Sequence, residues 1–246
     1  MQLYFIRHGQ SVNNAGWGDL TTRIIHDPAL TEIGAQQTQI TANYLEQNQQ
    51  MTKQGIRNEQ NRHGFGITRI YTSLMERAAH TASYMAGTLE VPFETWEQIH
   101  ESGGIYKRGG EIKSVGLAGR SRAWYEANVP ALSLPETLDE SGWWNRPFET
   151  EEECQSRAQR VWADLLTRHS DKDSQPEEHV AFVSHGGFFV HLMGAILELP
   201  WKNASHGLNS WFLLNNCSIS RVDVRKGYVT TCYINRTSHL PDNMIT

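Results

Sequence analysis

Residues 3–14, LYFIRHGQSVNN, join a short apolar run to a cluster of charged and polar side chains. The run Leu3–Ile6 is continuous, which is typical of a buried strand in a parallel sheet. It ends directly in Arg7, His8 and Gly9. Two interpretations fit this pattern: an ordinary boundary between a strand and a turn, or a reactive histidine held at the edge of a sheet.

A second junction of this kind lies at residues 67–89. ITRIYTS (67–73) alternates apolar and polar residues and predicts a strand. The following segment predicts a helix, in which Ser73 and Glu76 have the spacing of a capping box. That helix start would place Arg77 in the first helical turn, next to the end of the strand.

A third junction lies at residues 179–199. HVAFVSH predicts a strand that ends in His185, and GGFFVHLMGAILEL predicts a nearly all-apolar, buried helix. Ligands of open α/β sheets bind beyond the carboxyl ends of the strands. If the three strands are neighbours, we expect His8, His185, Arg7 and Arg77 to converge into an anion site with a possible nucleophile.

The remaining pattern predicts an α/β fold, a three-layer α/β/α sandwich with a mostly parallel central sheet and an inserted cap region. One domain is expected over residues 1–246, with the cap at about 102–149. A helix is expected at 31–50, capped by Thr31 and with Ile33, Ile40 and Tyr44 on one face. A second helix is expected from the Thr150–Glu153 capping box to Arg168. The other expected elements are a polar surface loop at 46–66 and strands at 210–216, 218–224 and 228–234.

The expected cap is rich in glycine and contains Trp124, Trp143 and Trp144. A long irregular stretch inside a compact domain is usually functional or disordered, and the tryptophans favour an ordered cap. The Trp143–Trp144 pair fits core packing better than a substrate platform.

Composition excludes several classes of protein. The net charge of −5 argues against general binding to nucleic acid or to membrane surfaces. The three cysteines lack CxxC spacing, so a disulfide framework is not expected and a reducing compartment fits better. Arg7 interrupts the N-terminal apolar run too early for a signal peptide, and no segment has the length of a membrane span. We therefore expect a cytoplasmic protein, and a homodimer is left open.

Five segments, in this order along the chain, resemble the motifs of the histidine phosphatase superfamily, also called the phosphoglycerate mutase-like superfamily. They are RHGQSVNN (7–14), LTEIGAQQ (30–37), SLMERAAHTA (73–82), HESGG (100–104) and VSHGG (183–187). A second RHG at residues 62–64 follows no apolar strand, and we interpret it as a chance match.

The resemblance implies that His8 attacks phosphorus and forms a phosphohistidine. It further implies that Arg7 and Arg77 bind the phosphoryl oxygens, and that a protonated His185 stabilises their charge. These groups would supply the positive charge that a metal supplies elsewhere, so we expect neither a metal nor another cofactor. Four further residues are expected to contact phosphate: Gln10, Ser11, Asn14 and the amide of Gly186.

Glu101 is the expected proton donor to the leaving group. A bound phosphate dianion would favour its protonated form, although a protonated His100 beside it would oppose this. Glu94, Glu97 and Glu111 are alternative candidates. Packing explains His80 better than direct catalysis does, and the spacing of His185 and His191 does not suit a helical metal pair.

The resemblance leaves the reaction open. ESGGIYKRGG (101–110) departs from the mutase pattern of glutamate, arginine, histidine and tyrosine, so we favour hydrolysis of a small phosphomonoester. The alternatives are a phosphoglycerate mutase-type transferase and, less favoured, a protein that binds phosphorylated ligands without turnover. Some basic residues of the cap could bind a second acidic group of the substrate or could be solvated: Lys107, Arg108, Arg120 and Arg122.

Overall fold

A computed structural model describes residues 1–16, 25–51, 58–107, 114–169, 177–199 and 211–246. The strands in this part of the chain are β1 (Gln2–Arg7), β2 (Arg69–Thr72), β3 (Phe93–Thr95), β4 (Tyr106–Lys107), β5 (Val115–Gly116), β6 (His179–Ser184), β7 (Ile219–Arg225) and β8 (Tyr228–Arg236). The helices are α1 (Val12–Ala15), α2 (Glu32–Gln47), α3 (Glu76–Leu89), α4 (Arg122–Asn128), α5 (Glu151–Arg168) and α6 (Gly186–Ile196).

Six of the strands form the central sheet, in the order β3-β2-β6-β1-β7-β8. The first four in this order run parallel, whereas β7 is antiparallel to β1 and β8 is antiparallel to β7. Arg7 lies opposite Ser184, and Thr72 lies opposite Val183, so β1, β6 and β2 end at the same edge. The predicted α/β class and mostly parallel sheet are confirmed, although strand β3 was not foreseen.

Side chains of β1 enter two different cores because successive residues of a strand point to opposite faces. Tyr4 and Ile6 join a core with residues of α2 and α3. Leu3 and Phe5 join the core on the other face, with residues of α5 and α6. Helices therefore cover both faces of the sheet. Among the described residues, no helix combines the length and the apolar character needed to cross a bilayer.

Helix α2 begins as predicted, because the Thr31 hydroxyl accepts a hydrogen bond from the Gly34 amide at 3.0 Å. Its expected apolar face is confirmed only in part: Tyr44 packs against the core, but Ile33 is exposed and the buried face also carries polar residues such as Thr38 and Thr41. Both threonine hydroxyls donate to carbonyls one turn earlier in the same helix, at 2.8 Å. These bonds inside the helix, together with the bond that Gln37 Nε2 donates to the Met244 carbonyl at 2.7 Å, let a polar face be buried.

The expected surface loop at 46–66 is partly interior where the structure describes it, and residues 52–57 lie outside the described residues. Asn61 and Phe65 are buried, and the Asn61 amide donates to the buried Tyr4 hydroxyl at 2.7 Å. The second RHG lies here in a turn, where Gly64 has a φ of +105°. Polar composition predicted solvent exposure, but the side-chain amides satisfy groups of the core instead.

The strand expected at 210–216 was wrong in its described part, because residues 211–216 have no regular structure. This segment bonds to the loop after β1: the Leu214 carbonyl accepts from Arg7, and the Asn216 amide donates to the carbonyl of His8 at 2.9 Å. The strands expected at 218–224 and 228–234 are confirmed as β7 and β8.

The described part of 102–149 contains the small β4–β5 hairpin and helix α4. Trp143 and Trp144 are 8% and 3% exposed and join the core that contains α2 and α3, as core packing predicted. The assignment of this segment as a cap stays a prediction.

Candidate active site

His8 follows β1 directly and is buried, with 2% of its surface exposed. Its Nδ1 lies 2.7 Å from the carbonyl of Gly9, which can only accept, so Nδ1 carries the proton. Arg77 Nε donates to His8 Nε2 at 3.0 Å, which assigns the lone pair to Nε2. Burial, together with the charges of Arg77 and Arg7, lowers the pKa of His8 well below its usual value. His8 is therefore neutral and carries its lone pair on the nitrogen that faces Arg77.

Arg77 lies in the first turn of α3, as predicted. Its Nη1 is 3.6 Å from the carboxylate of Asp27, which also accepts from the amide of Glu76 at 3.1 Å. Burial raises the pKa of Asp27 to about 6, against the effect of Arg77. Asp27 thus holds the start of α3 and the Arg77 side chain together.

The expected capping box of Ser73 and Glu76 was wrong. Helix α3 begins after Met75 without a side-chain cap, and the Ser73 hydroxyl bonds to His185 Nε2 at 2.7 Å. The carboxylate of Asp27 accepts from the first helical amide instead. Spacing along the chain could not reveal a residue 49 positions away that competes for the same role.

Arg7 lies at the end of β1, where its Nη1 donates to the Leu214 carbonyl at 2.5 Å. Its Nε is buried and bonds to no described residue. A Cβ placed on Gly186 would lie 3.6 Å from this Nε, so the guanidinium is next to the start of α6. Burial lowers the pKa of Arg7, and the nearby charge of Glu101 partly offsets this effect.

His185 follows β6, is completely buried, and has its ring 5.1 Å from that of His8 between centroids. The expectation that it is protonated was wrong: burial and the charge of Arg77 lower its pKa well below the usual value. The Ser73 oxygen also accepts from the Met75 amide at 3.3 Å, and the Ser73 hydroxyl can either donate to His185 Nε2 or accept from it. His185 Nδ1 is buried and bonds to nothing in the described part of the chain.

Glu101 reaches the same site from the loop after β3. One carboxylate oxygen accepts from the amides of Ser102 at 2.8 Å and Phe188 at 2.9 Å, and the other accepts from Gly187 at 3.3 Å. The amides at the N-terminus of α6 therefore bind the carboxylate of Glu101, whereas the expected contact of the Gly186 amide with phosphate is a separate prediction. The charge of Glu101 also counteracts the lowering of the pKa of Arg77 by burial. His100 does not oppose a proton on Glu101, because burial keeps the pKa of His100 low.

The loop after His8 is fixed by hydrogen bonds among its own residues and by bonds to Thr31 and Asn216. Ser11 and Asn14 form a capping box on α1, and Asn14 Oδ1 accepts from Asn216 at 3.2 Å. The Gln10 side-chain oxygen accepts from the Thr31 hydroxyl at 2.7 Å. Gly9 permits the close approach to α2, since a Cβ there would lie 2.5 Å from the Gly34 carbonyl. Phosphate contacts from Gln10, Ser11, Asn14 and Gly186 stay predictions.

The basic residues expected around the substrate differ in their surroundings. Arg120 pairs with Glu76 at 2.6 Å and stacks on Trp124, at the rim of the site near Asp27. Arg122 donates to the carbonyls of Leu138 and Pro135 and so connects helix α4 to the chain that follows it. Lys107 is exposed, and Arg108 lies outside the described residues.

The alternative acids and the other histidines have varied surroundings where the structure describes them. Glu94 forms an ion pair with Arg69, burial raises the pKa of Glu97, and Glu111 lies outside the described residues. His80 stacks on Trp124, which agrees with packing. No metal-binding group of three or more His, Cys, Asp or Glu occurs in the described residues, which include His191.

Sequence reasoning missed several residues that hold the site: Asp27, Ser73 in its bond to His185, Thr81, which accepts from the Gly9 amide, and Asn216. Only the positions of Thr81 and Asn216 in the sequence could have pointed to a role in the site. Thr81 is one helical turn after Arg77, and Asn216 ends an apolar run.

Comparison with known proteins gives a family and a fold. The profile of the histidine phosphatase superfamily (branch 1) matches residues 3–237. No curated protein matches the chain significantly. The chain is similar to a mycobacterial glucosyl-3-phosphoglycerate phosphatase complexed with VO3, at 18% identity and a TM-score of 0.58, over 96% of this chain and 99% of that one.

Two other structures show the same fold. One is phosphoserine phosphatase from Entamoeba histolytica, at 20% identity and a TM-score of 0.57, over 98% of this chain and 99% of that one. The other is a proposed α-ribazole-5′-phosphate phosphatase from Escherichia coli, at 17% identity and a TM-score of 0.57, over 96% of this chain and 97% of that one. With the profile match over nearly its whole length, the chain belongs to the histidine phosphatase superfamily.

Proposed function

We propose that the protein hydrolyses small phosphomonoesters through a phosphohistidine on His8. The observation that carries this proposal is the state of His8: a buried, neutral imidazole whose Nε2 lone pair faces a guanidinium. A neutral imidazole nitrogen is a nucleophile, whereas an imidazolium is not. The phosphatase names of the similar structures agree with hydrolysis.

In the first step, phosphoryl oxygens take the N–H donors of Arg7 and Arg77. Arg77 Nε then releases His8 Nε2, which forms a bond to phosphorus as the bond to the leaving oxygen breaks. Arg7 Nε is a further donor to the transferred group, and so is His185 Nδ1 when it carries the proton of the ring; neither atom has another partner in the described residues. Because the guanidinium groups are already fixed, they stabilise the developing charge without reorganising.

The Glu101 carboxylate takes up a proton when the phosphate dianion binds, and it gives this proton to the leaving oxygen in this step. In the second step a water attacks phosphorus, and the Glu101 carboxylate takes the proton of that water. The phosphorus–nitrogen bond breaks, its electron pair returns to His8 Nε2, and phosphate leaves. The charge that balances the phosphoryl group comes from side chains, so we propose that the reaction needs no metal.

The test uses para-nitrophenyl phosphate with and without a chelator, and compares His8→Ala with His63→Ala. His63 belongs to the second RHG, so it is a control for removal of a histidine from the same local sequence. We expect chelator-resistant release of phosphate, complete loss in His8→Ala, and near-normal rates in His63→Ala. Acid-labile labelling of the wild type alone would identify the phosphohistidine.

Activity that requires a divalent metal, or turnover by His8→Ala, would refute the proposal. A panel of phosphorylated metabolites, with and without 2,3-bisphosphoglycerate, separates hydrolysis from transfer. Isomerised product without phosphate release would show that the protein is a mutase.

A further inference from the structure

The loop that carries Glu101 is held by a buried ion pair on its far side. Arg157, on α5, is 2% exposed. It forms a two-pronged bond to Glu149, with Nε to Oε1 at 2.6 Å and Nη2 to Oε2 at 2.7 Å. Such a fork fixes the orientation of the guanidinium as well as its position.

Arg157 Nη2 also donates to Cys154 Sγ at 3.3 Å, and the donors on Nη1 point at the loop. Arg157 Nη1 donates to the Gln98 carbonyl at 2.5 Å and to the His100 carbonyl at 3.1 Å. On the other side of Glu101, the Glu149 amide donates to the Gly103 carbonyl at 3.2 Å. The pair therefore binds the backbone both before and after Glu101.

Arg157 is also connected to the groups that hold the carboxylate of Glu101. Its guanidinium carbon lies 4.7 Å from the ring centroid of Phe188, and the Phe188 amide donates to Glu101. His100 Nδ1 bonds to the Glu101 carbonyl at 2.8 Å. The loop itself turns through Gly103 and Gly104 at φ of +84° and +75°, a conformation that glycine adopts without strain.

We propose that Arg157, with Glu149, is a positioning residue for proton transfer by Glu101. This inference rests on the proposed phosphatase function. No hydrogen bond between Arg157 and the Glu101 carboxylate is present in the described residues, so the effect runs through the backbone and Phe188. A displacement of the Glu101 carboxylate by about 1 Å is enough to lower the rate of proton transfer on the order of 10²-fold.

Leaving groups of different basicity provide the test. A poor leaving group such as an alkyl phosphate needs the proton of Glu101, whereas para-nitrophenolate leaves without it. Arg157→Lys keeps the positive charge but lacks the planar fork that reaches Glu149 and two carbonyls together. Arg160→Lys is the matched control, because Arg160 is exposed on the same helix.

We expect Arg157→Lys to lower kcat/KM for the alkyl phosphate about 10- to 100-fold and kcat/KM for para-nitrophenyl phosphate by less than about 3-fold. The ratio kcat/KM is compared because it reports the first step, whereas kcat also includes the second step, in which Glu101 acts on both substrates. Arg160→Lys should change neither. Glu101→Gln should show the same bias, and the double variant Glu101→Gln/Arg157→Lys should be no slower than Glu101→Gln alone. Non-additivity of this kind identifies residues that act through one step.

Equal loss with both substrates, or losses that multiply in the double variant, would overturn the positioning role. If Arg157→Lys does not fold, Glu149→Gln weakens the same fork and should give the same bias; its absence there would also overturn the role. Equal slowing of both substrates by Glu101→Gln would instead refute Glu101 as the acid, which is a failure of the proposed function.

Discussion

At position 187 the absence of a side chain is what gives the Glu101 carboxylate its place in the site. Gly187 is the second residue of α6, and its amide donates to Glu101. A Cβ at this position would lie 2.5 Å from Glu101 Oε1 and 2.6 Å from the Ser102 hydroxyl. The carboxylate reaches the N-terminus of the helix only because no side chain is there.

Gly187→Ala should therefore lower kcat for a poor leaving group, on the order of 10²-fold, by displacing Glu101. Gly194→Ala is the control, since a Cβ at Gly194 in the same helix meets nothing within 4 Å. That variant should keep full activity and gain up to about 1 kcal/mol of stability. Steady-state kinetics and thermal unfolding measure both effects. Normal activity in Gly187→Ala would contradict the placement of Glu101.

The capping-box spacing occurs twice in the sequence, and it forms a cap at helix α5 but not at helix α3. Thr150 and Glu153 form the predicted capping box, with bonds of 2.8 and 3.2 Å between them. The same spacing at Ser73 and Glu76 forms none. Thr150 lies on the exposed surface, where nothing competes for it, whereas Ser73 is buried beside His185.

Thr150→Ala should lower the free energy of unfolding by about 1 kcal/mol, because the first turn of α5 loses its cap. Ser156→Ala, inside the same helix and exposed, should change it by less than about 0.5 kcal/mol. Urea unfolding monitored by circular dichroism gives both values. Equal values for the two variants would show that the cap does not stabilise α5.

Buried neutral histidines couple the stability of the entire protein to pH. Burial lowers the pKa of His8, His100 and His185 well below the usual value. Below about pH 6.5 the unfolded chain binds protons at these residues and the folded chain does not, so stability falls as pH falls. Asp27 has the opposite effect between about pH 4 and 6, where it raises stability as pH falls. The reason is that its pKa is raised to about 6 in the folded state, so the folded chain binds the proton first.

We expect each of these histidines to cost up to about 1.4 kcal/mol of stability per pH unit below about 6.5. The three outweigh Asp27, so the urea midpoint should fall between pH 7.5 and 5.5. His100→Gln should reduce this fall by the share of one histidine. A midpoint that is constant or rises on acidification would contradict neutral burial of these imidazoles.

The amino-acid sequence determined the alternation of strands and helices, the strand ends at His8 and His185, and the order of the family motifs. These features depend on local periodicity and on neighbouring residues, which a single chain segment contains. The predictions from the sequence that were wrong have a common cause. The polar face of α2, the interior asparagines of 58–66 and the segment 211–216 are all stabilised by bonds to residues far away in sequence.

Only the tertiary structure decided which groups meet. It brought Asp27 to Arg77, Ser73 to His185, and Arg157 to the loop of Glu101. It also decided that His185 is neutral, because desolvation and neighbouring charge depend on packing in three dimensions. The local sequence predicted reactive residues at the strand ends. The partners and charge states of those residues follow from the fold that surrounds them.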